Sequence, residues 1–161
     1  MKMIKLIPIL FIGFYLVSSG VTKPKPSETE TIDQLIDNWH KAAAEANYTN
    51  YFQFMSDNFI YLGTDPTERW NKEEFGAFCK PYFDKGKAWD FRKIERHIEI
   101  SKDGKFAWFD EKIDTWMKDC RGSGVLIKIG KEWKIAQYNL AVLVENDKIQ
   151  DFIRLRNELK D

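Results

Sequence analysis

Neither charge is in surplus in this sequence: 25 lysine and arginine side chains are matched by 25 aspartates and glutamates among 161 residues. Nonspecific binding to nucleic acid needs a basic excess that displaces counterions, so nucleic acid is not an expected partner. Cysteine is scarce, and Cys79 and Cys120 are too far apart along the chain to carry a zinc spacing. The only histidines are His40 and His97. Also missing are a phosphate-cradling glycine loop, an HExxH zinc motif, a G-x-S-x-G elbow and an EF-hand loop. These absences exclude the chemistries that short motifs carry, and they leave no metal and no cofactor expected.

What is present suits one globular domain: 43% of residues are hydrophobic and 15% aromatic, enough for a sizeable core. Residues 1–20 read as a signal peptide. Lys2 and Lys5 precede the apolar run LIPILFIGFYLV, and Ser18, Ser19 and Gly20 supply small residues for cleavage after Ser19 or Gly20. The run is shorter than the roughly 20 residues that span a bilayer, with an uncleaved anchor as the alternative. A bacterial lipid anchor would need a cysteine beside the small residues, and none is there. The expectation is therefore an exported protein, periplasmic or secreted, with no membrane attachment once the signal is removed. Residues 21–30 then form a polar, proline-bearing linker.

Apolar Ile32, Leu35, Ile36, Trp39 and Ala43 recur at helical spacing, and Ser27 with Glu30, or Thr29 nearby, supplies a cap. His40 lies beside that apolar face, where it either rims a cavity or sits satisfied at the helix edge. A short second helix carries Tyr48, Phe52 and Met55 inward, and FIYLG follows as a strand. In GTDPTERW, Asp65, Pro66 and Glu68 spell a capping box that turns strand into helix. A second box, Asn71 with Glu74, starts the helix of Phe75, Phe78, Cys79 and Tyr82, which Pro81 should kink or end. From there the period becomes two. WDFRKIERHIEIS, FAWFDEKIDTWM, VLIKI and EWKIAQYNLAVLV read as four antiparallel strands, the first two joined by an Asp-Gly turn. His97, between Glu95 and Glu99, reads as a solvated strand position. Residues 147–161 add a charged C-terminal helix on the surface.

The segments WHKAAAEANYTNYFQFMSDNFIYLGTDPTERW, AWFDEK, CRGSGVLIK and EWKIAQYNLAV, in that order, resemble the SnoaL-like branch of the nuclear transport factor two-like superfamily. The resemblance covers residues 31–146. It implies an α+β fold in which a curved antiparallel sheet packs against N-terminal helices as a cone with a pocket inside, and it implies frequent homodimers. The same cone houses enzymes and binding proteins, so the fold does not choose between them.

In such a cone the corner after the first strand lies at the pocket mouth, so Tyr61, Arg69 and Trp70 become candidate ligand contacts. The alternative is that Trp70 packs under the next helix. Alternation puts Trp133, Ile135, Gln137 and Asn139 on one face of the last strand, which the resemblance points inward. Trp108 and Asp110 share a face, and an Arg121–Asp110 pair is either a structural salt bridge or a polar clamp for a ligand. Two functions follow. One is an exported protein whose pocket binds a small, largely apolar molecule. The other is an acid–base enzyme, an isomerase, dehydratase or hydrolase, with Asp110 or His40 carrying the proton. A disulfide between Cys79 and Cys120 is open on the sequence, since it requires Cα atoms within about 7 Å.

Overall fold

Ser27 and Glu30 start the first helix by bonding each other's backbone: the Glu30 amide donates to the Ser27 hydroxyl at 3.1 Å, and the Ser27 amide donates to the Glu30 carboxylate at 2.7 Å. The helix they open is α1, Glu28–Ala44, in a computed structural model that describes residues 25–158. The expected signal peptide and residues 21–24 of the expected linker lie outside the described residues, and residues 28–30 of that linker already belong to α1. Ile32, Ile36, Trp39, His40, Ala42 and Ala43 form the buried stripe of α1, the spacing of one helix face. Helix α2, Tyr48–Gln53, turns Tyr51 inward and leads into strand β1, Met55–Leu62.

The corner GTDPTERW forms a turn and no helix. The Thr67 amide donates to the Asp65 carboxylate at 2.8 Å, the Asp65 amide to that of Glu68 at 3.2 Å, and the Gly63 amide closes on the Glu68 carbonyl at 2.9 Å. The chain leaves it as β2, Arg69–Asn71, antiparallel to β1. The second capping box forms as expected, with the Glu74 amide donating to Asn71 and the Asn71 amide to Glu74. It opens α3, Lys72–Asp84. Pro81 neither ends α3 nor divides it, because Phe75, Cys79 and Phe83 are buried on both sides of it and hold the helix against the core.

Four long strands follow: β3, Arg92–Ile100; β4, Phe106–Thr115; β5, Lys118–Ile129; and β6, Glu132–Val142. The open six-stranded sheet runs β2-β1-β6-β5-β4-β3. The meander is antiparallel throughout, but β1 lies parallel to β6. A 3-10 turn, Asn146–Lys148, and helix α4, Ile149–Glu158, end the described chain with no buried residue.

Two bulges reset which side chains face the helices. Val125 pairs with Gln137 and Leu126 with Ile135, so Ala136 is the extra residue of β6. Trp133, Ile135, Tyr138 and Leu140 therefore point inward while Gln137 does not. On β3, Lys93 pairs with Ile113 and Glu95 with Lys112, which makes Ile94 the extra residue and turns Arg96 inward opposite Glu111. The core between helices and sheet is filled by aromatic rings. Trp39 stacks on Tyr51 at 5.1 Å between centroids, Tyr61 stacks on Phe75 at 4.1 Å, and Tyr138 meets Trp39 edge-on at 4.8 Å.

Candidate functional site: a buried histidine and carboxylate

Strand β4 alternates Ala107, Phe109, Glu111, Ile113 and Thr115 toward the helices, so one carboxylate stands among apolar neighbours, fully buried. An ionised carboxylate there requires partners for both oxygens. Glu111 Oε1 accepts from His40 Nε2 at 2.8 Å and from the Tyr138 hydroxyl at 2.9 Å. Its Oε2 accepts from Arg96 Nε at 2.9 Å and Nη2 at 2.7 Å. Two guanidinium nitrogens thus converge on one carboxylate oxygen as charge-assisted hydrogen bonds. Room for this packing comes from Gly122, where a Cβ would overlap both the Tyr138 hydroxyl and the Glu111 carboxylate.

The charges extend to α1. Arg96 Nη1 donates to the Asp33 and Asp37 carboxylates at 2.7 and 2.8 Å and to the Asp33 carbonyl at 3.1 Å. Lys93 bridges the same two aspartates from the rim at 3.0 and 2.9 Å. Burial would raise the Glu111 carboxyl, but the His40 ring and the Arg96 guanidinium outweigh it and hold it at about 2, against an ordinary value of 4.5. Burial and the adjacent carboxylate push the Tyr138 hydroxyl well above its usual range, so it stays a donor.

An ionised Glu111 fixes the proton on the facing nitrogen of His40. Nε2 donates, and Nδ1 has no hydrogen-bond partner among the described residues. The ring lies between Trp39 and Phe91, with centroids at 5.0 and 6.0 Å, and is 5% exposed. It borders a cleft of about 360 Å³ lined also by Asp37, Lys41, Ala44, Asp90, Phe91 and Lys93. A histidine oriented from behind by a carboxylate, with its other nitrogen at a cleft, can exchange a hydrogen bond or a proton with a molecule seated there.

Of the residues singled out in the sequence, His40 reaches this centre and the others do not. Trp108, Asp110, Arg121, Gln137 and Asn139 lie on the opposite, outer face of the sheet. On β4 the neighbour Glu111 takes the inward position instead of Asp110, and on β6 the bulge at Ala136 turns Gln137 and Asn139 out. The inward pocket expected of those five is therefore not assembled. Arg121 Nη1 and Asp110 Oδ2 do pair, at 3.2 Å, with both side chains more than two-fifths exposed, so the pair is worth little in stability. Tyr61 and Trp70 are part of the aromatic packing, Trp70 lying 4.6 Å from Phe78 of α3. Arg69 is exposed and borders an outer-face depression of about 340 Å³ with Gln137, Ile60, Leu62, Val125 and Ala136. His97 is on the outer face opposite Asp110. Cys79 and Cys120 are both buried free thiols, and burial raises that of Cys79.

Glu111, Arg96 and Tyr138 are not among the residues that the sequence singles out. A signal for Glu111 exists: the alternate positions Asp110, Lys112 and Asp114 are charged together, which marks them as the solvent face. Arg96 and Tyr138 depend on bulges that have no such mark.

The SnoaL-like domain family matches residues 32–145, and the chain belongs to that family. A nuclear transport factor two-like protein of unknown function from Pseudomonas putida superposes with a TM-score of 0.61 at 14% identity, covering 75% of this chain and 89% of that one. A putative scytalone dehydratase from Novosphingobium aromaticivorans gives 0.64 at 8% identity, covering 73% and 85%. A third similar structure, a nuclear transport factor two-like protein from Cytophaga hutchinsonii, gives 0.60 at 14%, covering 73% and 100%. At these identities the likeness is one of fold. No curated protein matches the chain in sequence.

Proposed function

We propose that this chain is an exported small-molecule-binding protein whose site is the cleft ending on His40, outside the aromatic-filled interior of the sheet. The observation that carries this reading is the division of labour on one imidazole: Nε2 is held by Glu111, and Nδ1 has no partner among the described residues beside a cleft of about 360 Å³. Phe91 and Ala44 give that cleft apolar contact, and Lys41, Lys93, Asp37 and Asp90 rim it. Small pockets with a few placed polar groups are how ligands are oriented. A thermal-shift and NMR panel of small hydroxylated and carboxylated aromatics tests the reading. A binder should move the His40 ring resonances, and the exposed substitution Ala44→Trp, which fills the cleft without touching Glu111, should abolish binding with the fold intact. If no compound binds, or binders ignore Ala44→Trp, the cleft is not the site.

The same imidazole favours acid–base catalysis as the second reading, since a carboxylate behind a histidine fixes which ring nitrogen carries the proton and leaves the other for a bound molecule. That reading expects deuterium from solvent to enter an acidic C–H of a bound compound. His40→Gln should stop the exchange.

Export rests on residues 1–20. Intact mass of the exported fraction should give a chain beginning after Ser19 or Gly20, whereas one beginning at Met1 indicates an anchor. The outer sheet face supports a homodimer: Trp108 and Phe106 are each 50% exposed there, beside half-buried Val125, Ile127, Ile60 and Leu62.

A further inference from the structure

One groove among the described residues has no role in the site above. It has a volume of about 830 Å³ and lies between the first half of α1, the end of α2 and the β5–β6 hairpin. Leu35, Phe54 and Trp133 line it with apolar surface, and Gln34, Asn38 and Gln53 with amides; Lys131 and Lys134 stand on the hairpin side.

The backbone of Trp133 gives this groove a specific chemistry. Gly130 and Lys131 form the two-residue turn between the strands, so Ile129 and Glu132 are the hydrogen-bonded pair that closes it, and the next pair, Lys128 with Trp133, is a non-hydrogen-bonded one. The Lys128 amide agrees, donating the other way to Lys105 of the β3–β4 turn at 2.9 Å. The N–H and C=O of Trp133 therefore point away from β5, toward the side that β1 occupies. There β1 begins only at Met55, level with Ile135, and the last contact before it is the Ile135 amide on the Phe54 carbonyl at 2.8 Å. Trp133 is left with no main-chain partner among the described residues, although it is 4% exposed. Unpaired donors and acceptors at buried strand positions are rare and point to a missing partner.

We propose that the groove accepts an extended peptide segment, which continues the sheet along β6 where β1 has not yet begun. One residue of such a segment supplies both a C=O for the Trp133 N–H and an N–H for the Trp133 C=O, the spacing of strand addition. A small polar molecule rarely offers that pair at that separation. Alternate side chains of the segment would lie over Leu35 and Phe54, and an acidic one would face Lys131, which has no ion-pair partner among the described residues.

A capped five-residue peptide alternating valine and aspartate is the probe, titrated into the full chain and followed by NMR. The Trp133 amide resonance should shift, and its hydrogen exchange should slow at least tenfold at saturation. The same peptide N-methylated at its three central residues should bind at least tenfold more weakly, and Lys131→Glu should weaken the parent peptide about fivefold while leaving the spectrum of the free protein unchanged. The proposal is overturned if the parent peptide leaves Trp133 unmoved at millimolar concentration, as it would if ordered water satisfies that residue. It is equally overturned if the N-methylated peptide binds as well as the parent. Neither result bears on the His40 cleft, which the Ala44→Trp test addresses.

Discussion

A carboxylate at position 111 is tolerated because four donors reach it, so its removal and its protonation have separable consequences. Glu111→Gln removes the charge shared by His40, Tyr138 and Arg96, while Arg96 keeps Asp33 and Asp37 through Nη1, so a loss of about 1 to 3 kcal/mol is expected. Protonation acts through pH. The folded value of about 2 lies below the ordinary 4.5, so the stabilisation is fully present above pH 4.5 and is lost as pH falls through 2. Acid unfolding should therefore be steep across that window, with a contribution on the order of 3 kcal/mol from this one group. Denaturant melts at successive pH values measure it, and the Glu111→Gln chain should lose much of that dependence. Equal slopes for the two chains would assign acid sensitivity to the exposed carboxylates. Gly122→Ala tests the same contact from the other side: its methyl group must displace the Tyr138 hydroxyl from Glu111, and a loss of about 1 to 3 kcal/mol is expected from the unsatisfied groups.

Helix starts were legible because their cause is local. Ser27 with Glu30 and Asn71 with Glu74 each bond within four residues, and the sequence displays both partners. Strand faces were less legible. A bulge costs one residue and gives no compositional mark, yet one at Ala136 and one at Ile94 decide whether Gln137 or Tyr138, and Glu95 or Arg96, meet the helices. Spacing places His40 beside the apolar face of α1, but its partner lies 71 residues away, on a strand where alternation alone lets either Asp110 or Glu111 face inward. Helix α4 illustrates a different limit. Its apolar Ile149, Phe152 and Ile153 recur as on a docked helix, but each is about two-fifths exposed, and the principal neighbour of α4 among the described residues is the preceding 3-10 turn. A chain ended after Glu145 should thus melt within a few degrees of the full chain, the scale of surface changes. A large loss would mean that α4 covers part of the protein in solution.

At the scale of the whole molecule, the two faces of the sheet have been given opposite work. The inner face is closed by aromatic rings and one charged cluster, so residues that the sequence offered as pocket walls are gathered outside, as Trp108, Asp110, Arg121, Gln137 and Asn139 on adjoining strands. Such a face joins apolar side chains at half exposure to a polar surround in which Arg121 and Asp110 already pair at 3.2 Å. In the homodimer proposed above, a two-fold axis would set this face against itself, each Arg121 within reach of the partner's acids, and a standard interface would cover roughly 800 Å² per chain. Trp108 is the probe, because a side chain 50% exposed in the single chain can be replaced at little cost to the fold. Light scattering behind size exclusion should give the mass of two chains for wild type and of one chain for Trp108→Glu, with unchanged far-ultraviolet dichroism. If wild type elutes as a single chain at about 100 μM, the face does not self-associate even at a concentration where interfaces of this size are ordinarily filled, and the apolar strip must be assigned to another partner.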